Sequence, residues 1–439
     1  MPMLVSKFIL LVFLWGLPLG ASPMASETWQ ELSKDGLRAA DEGRFRDAEI
    51  LFRRAHEKSS VFDRDDPRHA AGLNNLAFAL HANGQYAAAA DLYLEALTIR
   101  ETMLGHRHPD VAISCNNLGE LYRLLGRYEE AERFHRRALD IRTGLFGEEH
   151  PETAQSMNSL GVLYAHRRLF DEAEELYRVA LEVRKSSYGD DHPATAETRN
   201  NLATLHYADG RFAEAEALYL QAIAIEERTL NGQHPALATT LSNLAELYRS
   251  QGKLDQALEL HQRAVDIRKQ GLGIDHPVTA QSLNNIAVTE FERGNSGDAE
   301  RLYRESLRIQ EAILGNAHPD LALTLNNLAE LLRSERRFDE AKPLYRRALA
   351  IDEAIFGAEH PDLALGLNNL ALLHFDKGAY LEAEQLLDRA VAIEEDRDRG
   401  DNTDLIVTLE NHAIVLRELR RHREAEEAEA KAESLRAQL

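Results

Sequence analysis

The chain has 439 residues, 44% hydrophobic and 28% charged with only 12 prolines, which excludes a collagenous or disordered polymer and suits a helix-rich protein. Its formal net charge of −22 argues against nucleic acid and anionic lipid as partners, because such a surface repels polyanions. A single cysteine, Cys115, excludes an internal disulfide framework.

Residues 1–26 read as a signal peptide. Lys7 is the only charged side chain before Glu27, and the apolar run from Phe8 to Leu19 has the length of a signal's hydrophobic stretch. A spanning helix would need roughly 20 such residues. Small residues follow, and cleavage is expected near Ala21. The protein is therefore expected to be exported, periplasmic or secreted, with an uncleaved N-terminal membrane anchor as the alternative.

From residue 27 onward a period of 42 residues governs the chain. His-Pro recurs with the histidines at His108, His150, His192, His234, His276, His318 and His360, and the series extends back to Asp66-Pro67 and forward to Asn402-Thr403. Behind each comes an Asn-rich turn, such as Asn116-Asn117-Leu118 or Asn326-Asn327-Leu328. A second marker, alanine, recurs from Ala48 through Ala131 and Ala173 to Ala425, which makes ten units. Steps of four and three residues surround both markers: Leu118, Gly119 and Tyr122 in one helix, and Ala131, His135, Ala138 and Ile141 in the next. Each unit is thus a pair of amphipathic helices.

Gly84, Gly126, Gly210, Gly252, Gly294 and Gly378 separate the two helices, with Arg168 and Arg336 in two equivalent places. A second glycine, at Gly105, Gly147, Gly189, Gly273, Gly315 and Gly357, ends each unit, and Asn231 fills the matching slot before Gly232. A left-handed, helix-terminating backbone is expected there. The proline after each histidine suits the first helical position, where its missing N–H costs nothing, and the histidine suits the cap. One hairpin cannot cover its own apolar stripe, whereas a stack of ten can. Residues 27–402 are expected to form nine hairpins and 403–439 a capping hairpin, whose sequence is largely Ala, Glu and Arg after Arg420.

The pattern His-Pro-x-x-Ala, Leu-Asn-Asn-Leu-Ala-x-Leu-Tyr, Gly-x-x-x-Glu-Ala-Glu-x-Leu-Tyr-x-Arg-Ala-Leu resembles the tetratricopeptide repeat, in the 42-residue form of the kinesin light chains. Pro343 inside the second helix of one unit matches a habit of that family. The resemblance implies an all-α, right-handed superhelical solenoid of about ten helix-turn-helix repeats. It also implies a concave wall, built from the first helix of every pair, that receives extended or partly helical peptides.

Helical geometry agrees about the wall. If Leu118, Gly119 and Tyr122 face the core, Ile113, Asn117, Glu120 and Leu124 face away, with Asn116 and Arg123 on the flank. A row of amides at Asn75, Asn117, Asn201, Asn243, Asn285, Asn327 and Asn369 can pair with the backbone of a bound segment. The alternative is that one Asn of each pair only locks neighbouring units together. Phe78, Tyr207 and Phe375, with Arg123, Arg249 and Arg333 at the outer flank, are candidate anchors for the guest. Phe291 belongs to the same series unless it turns inward. Glu120, Glu246 and Glu330, three residues before the arginines, can instead pair with them.

Other signals carry less. The seven histidines are too far apart for one metal ion, so no metal or cofactor is expected. Arg399-Gly400-Asp401 is a short tripeptide that arises by chance, and Asp396 with Asp398 begins a calcium loop that Asp401 and Val407 break. Nucleotide-binding and metalloprotease signatures are absent, so no catalytic residues are assigned. Cys115 falls on the inward stripe as an inert thiol. The sequence thus points to a non-enzymatic scaffold that binds an unidentified protein or peptide. Self-assembly, or assembly of an envelope complex through convex or terminal surfaces, is the alternative.

Overall fold

The computed structural model describes residues 28–59, 66–230, 232–395 and 402–437. The signal segment, Asn231 and Arg399-Gly400-Asp401 with the neighbouring Asp396 and Asp398 lie outside the described residues. Within them the chain is all-α and forms ten hairpins, α1 (Trp29–Asp41) with α2 (Phe45–Ser59), α3 (Pro67–Ala82) with α4 (Tyr86–Leu104), and α5 (Pro109–Leu124) with α6 (Tyr128–Phe146). Then come α7 (Pro151–His166) with α8 (Phe170–Tyr188), α9 (Pro193–Ala208) with α10 (Phe212–Thr229), and α11 (Pro235–Ser250) with α12 (Leu254–Leu272). The rest are α13 (Pro277–Glu292) with α14 (Ser296–Ile313), α15 (Pro319–Ser334) with α16 (Phe338–Phe356), α17 (Leu363–Asp376) with α18 (Tyr380–Glu395), and α19 (Thr403–Glu418) with α20 (His422–Arg436).

Each helix packs on its hairpin partner and on the hairpin that follows, so the core is continuous along the stack. Small side chains set the spacing: Ala131, Ala173 and Ala215 are fully buried, and the large rings of Tyr177, Tyr219 and Tyr303 fill the space between helices. The odd-numbered helices also pack against the next odd-numbered helix, which puts them on the inside of the curve.

The histidines start helices as caps. In each of the seven His-Pro units the ring Nδ1 accepts a hydrogen bond from the backbone N–H two residues on, at 3.1 to 3.2 Å, as His108 does for Asp110 and His360 for Asp362. An imidazole that accepts there replaces the Ser, Thr or Asp that usually satisfies a first-turn N–H. Proline is the first helical residue of each odd-numbered helix from α3 to α15 but not of α17, which begins at Leu363.

The two glycine series adopt different backbones. Gly126 between helices has φ +67°, and Arg168, Arg336 and Arg420 adopt φ 59–62° at equivalent turns. Gly147 at the end of its unit has φ 88° and ψ 170°, a region open essentially to glycine alone. The left-handed expectation therefore holds at the hairpin turns, where arginine can substitute. It fails at Gly147, where the chain must leave α6 extended to reach His150.

The array also winds back onto itself, which the linear repeat did not foretell. The turns of the first three hairpins meet the caps that open α13, α15 and α17. Arg46 donates to the carbonyl of Leu314 at 3.2 Å, and the His318 Nε2–H donates to the carbonyl of Ala82 at 3.1 Å. Tyr86 lies against Phe356 with ring centroids 5.7 Å apart. A Cβ on Gly126 would stand 2.8 Å from the His360 ring, so the absence of a side chain is what lets these surfaces close. Successive turns of the superhelix thus touch along a seam.

Candidate functional site

The concave wall contains a pocket of about 330 Å³ that crosses α5, α7, α9 and α11. Ile113, Asn116 and Asn117 line one end, Gln155, Ser159 and Val162 the middle, and Glu197, Asn200, Asn201 and Thr239 the far end. Its wall is divided about evenly between polar and apolar surface, with amides at regular intervals.

The amides are organised as a ladder. The second Asn of a unit donates its Nδ2–H to the Oδ1 of the first Asn of the preceding unit: Asn117 to Asn74, Asn201 to Asn158, Asn243 to Asn200, Asn327 to Asn284 and Asn411 to Asn368, at 2.9 to 3.2 Å. Asparagines 43 residues apart, one more than the period, sit at hydrogen-bonding distance because adjacent odd helices run side by side. The ladder breaks where Ser159 and Ser242 stand in for asparagine, and again at Asn326, whose Oδ1 is buried without a hydrogen-bond partner although Asn369 follows in register. Asn117, Asn201, Asn243, Asn285, Asn327 and Asn369 remain half-buried, whereas Asn75 is buried. Of the predicted row, Asn117 and Asn201 line the pocket together; the others lie elsewhere along the wall.

The arginines depart from the expected free flank. Arg123 is only 5% exposed and holds Glu120 through Nε at 2.9 Å and Nη2 at 2.5 Å. The guanidinium beside Glu120 keeps its carboxyl below the ordinary range despite the burial that opposes this. Glu120 lines the pocket, on the face where the helix wheel places it, whereas Arg123 is buried near Tyr86 instead of standing on an open flank. Arg249 joins Glu246 on its own helix and Glu292 of the next unit. Arg333 likewise joins Glu330 at 2.7 Å and Asp376 of the next unit at 2.5 Å. These arms tie units together.

The predicted aromatics are half-buried. Phe78 packs on the first core cluster, Tyr207 rests against Phe212 at 5.9 Å, and Phe375 against Tyr380 at 5.5 Å. None of the three lines the pocket. Phe291 turns toward the core.

Sequence reasoning missed a buried row at the ends of the even helices. Arg100, Arg142, Arg184 and Arg268 each donate to a hydroxyl on the following helix, at Ser114, Ser156, Thr198 and Ser282, over 2.5 to 2.9 Å. Their 42-residue spacing was the available signal. The same register holds Glu226, which with Arg142 forms part of the pocket wall. It also holds Asp352, whose carboxyl burial and the nearby Asp362 push up to about 7. Cys115 is fully buried, and burial pushes its thiol up to about 11, so it stays protonated. Glu384, Asp388 and His412 gather within 4.8 Å across the last two units, where Arg421 pairs with Glu384 and burial pushes the His412 imidazole toward its neutral form.

The chain matches the tetratricopeptide repeat in overlapping segments that run from 38–102 and 68–144 to 320–396 and 362–438. No curated protein matches it. Among solved structures it is similar to a Podosopora anserina kinesin light chain with nearly identical TPR-like repeats, at 27% identity over 47% of this chain and 98% of that one, TM-score 0.40. It is similar to BtubC (BKLC) from P. vanneervenii, at 27% identity over 52% and 89%, TM-score 0.42. Aspartyl phosphate phosphatase F from Bacillus subtilis shares the fold at 14% identity over 87% and 97%, TM-score 0.50. With these repeats spanning most of its length in the 42-residue form seen in kinesin light chains, the chain belongs to the tetratricopeptide repeat family.

Proposed function

We propose that this protein is a non-enzymatic scaffold that holds a peptide segment of a partner protein in its concave groove. The observation that carries the reading is the pocket over α5, α7, α9 and α11, where amides of Asn116, Asn117, Asn200 and Asn201 flank apolar Ile113 and Val162. Amides offer both donor and acceptor, so they suit the backbone of a guest whatever its side chains. Tetratricopeptide repeats generally serve protein partners, which supports the same reading. The apolar N-terminal stretch supports export to the periplasm or beyond.

The deciding experiment is capture of peptides from a display library by the full chain. Ile113→Glu puts a charge in the pocket without touching the amide ladder, and Asn117→Ala with Asn201→Ala removes two amides. Each variant is expected to lose at least about tenfold in affinity, near 1.4 kcal/mol, with an unchanged circular dichroism spectrum. Equal capture by folded Ile113→Glu protein sinks the groove reading. Export is checked separately by cell fractionation and N-terminal sequencing, with a mature start near Ser22 expected.

A further inference from the structure

The intramolecular seam is built from parts that recur, unoccupied, elsewhere on the same molecule. Three units end in a stacked aromatic and histidine of nearly one geometry: Phe146 on His150 at 4.7 Å and 25°, Tyr188 on His192 at 4.4 Å and 25°, and Phe356 on His360 at 4.6 Å and 26°. The third is used in the seam, where Tyr86 covers Phe356 and His360 is 5% exposed. The other two stand open, with Phe146 39% and Tyr188 48% exposed.

The receiving half recurs as well. Gly84 and Gly126 admit Pro319 and the His360 ring at φ +73° and +67°. Gly210, Gly252, Gly294 and Gly378 have φ of +72° to +85° and, among the described residues, meet no atom within 4 Å of a Cβ position. Phe212, which follows Gly210 as Tyr86 follows Gly84, is 39% exposed.

We infer that a second copy of this chain docks its exposed caps at His150 and His192 onto the open hairpin turns near Gly210, Gly252 and Gly294, continuing between molecules the seam each makes within itself. Because the seam joins a cap edge to a turn edge, the contact is heterologous and propagates head to tail as an open superhelical assembly. The net charge of −22 opposes the approach, so association strengthens as salt screens it. This contact is independent of the groove.

Sedimentation of the full chain over a concentration series, at about 0.15 M and about 1 M salt, tests it. The average mass is expected to rise with concentration, and more steeply at high salt. Phe146→Glu with Tyr188→Glu blocks the cap edge, and Phe212→Glu with Gly252→Arg blocks the turn edge, arginine being tolerated at that backbone as at Arg336. Each double variant alone should remain monomeric, whereas an equal mixture should form dimers and nothing larger, since each retains the edge the other lacks. A wild-type chain that stays monomeric to about 1 mM overturns the inference. So do folded variants that associate like wild type, or a mixture that fails to dimerise.

Discussion

A non-glycine residue in the left-handed region costs about 1 kcal/mol, and Arg336 sits there at φ 62° with its guanidinium 6.0 Å from the Phe338 ring, at the outer limit of useful attraction. Arg336→Gly is therefore expected to stabilise the fold by about 0.5 to 1 kcal/mol, read as a higher midpoint in urea melts; an unchanged or lower midpoint refutes it. Asp352 has an opposite kind of cost. Its carboxyl titrates near 7 in the fold against about 3.9 in the unfolded chain, so between those values the native state keeps a proton that the unfolded state has lost. That contribution is present at low pH and disappears as pH climbs through 7. Asp352→Asn should match wild type near pH 4 and exceed it by about 2 to 4 kcal/mol at pH 8. Burial holds His81, His135 and His276 down at about 4, so these three act the other way, costing stability as pH falls from 6.5 toward 4. The difference between variant and wild type isolates the aspartate.

At the scale of the helix hairpin the sequence was nearly transparent. Spacing of His108-Pro109, Gly126 and Gly147 marks where α5 starts, turns into α6 and ends, because each residue acts on backbone groups within its own turn. What spacing left undecided was which way the amides point, since Asn116 and Asn117 are adjacent and one finds its partner in its own hairpin, the other in the preceding unit. In the folded stack the two diverge, for Asn117 reaches back to Asn74, and the Asn116 Oδ1 accepts from the His135 Nδ1–H at 3.1 Å. Ladder bonds should have measurable worth. Asn327 donates to Asn284 at 3.1 Å, whereas Ser242, which holds the corresponding position one unit before Asn285, donates to the carbonyl of Ala238. Asn327→Ala is expected to cost about 1 kcal/mol in urea unfolding and Asn285→Ala less than half of that; equal losses would mean that the ladder contributes nothing beyond side-chain packing.

Where one superhelical turn meets the next, the repeat pattern is silent, because most units carry the same cap and turn and only the curvature of the whole stack decides which of them meet. That is why Arg123, exposed on any helix wheel, is buried with Glu120 while Arg333, its counterpart, is 20% exposed at its side chain. It also sets the energetics of the stack apart from a simple solenoid, in which each unit feels only its neighbours. Hairpins one to three are coupled directly to the caps of α13, α15 and α17, so loosening one end should be felt at the other. Two alanine substitutions separate this coupling from local strain. Gly126→Ala and Gly252→Ala impose the same positive-φ penalty, at +67° and +72°, but only the first drives a Cβ to within 2.8 Å of the His360 ring, the second meeting open space. Gly252→Ala should cost about 1 to 2 kcal/mol and leave distant amides alone. Gly126→Ala should cost more, and in hydrogen exchange it should raise the rates of amides at the starts of α15 and α17 as well as in α5 and α6. Protection lost only around the substituted turn would mean that the seam contributes nothing to holding the two ends together.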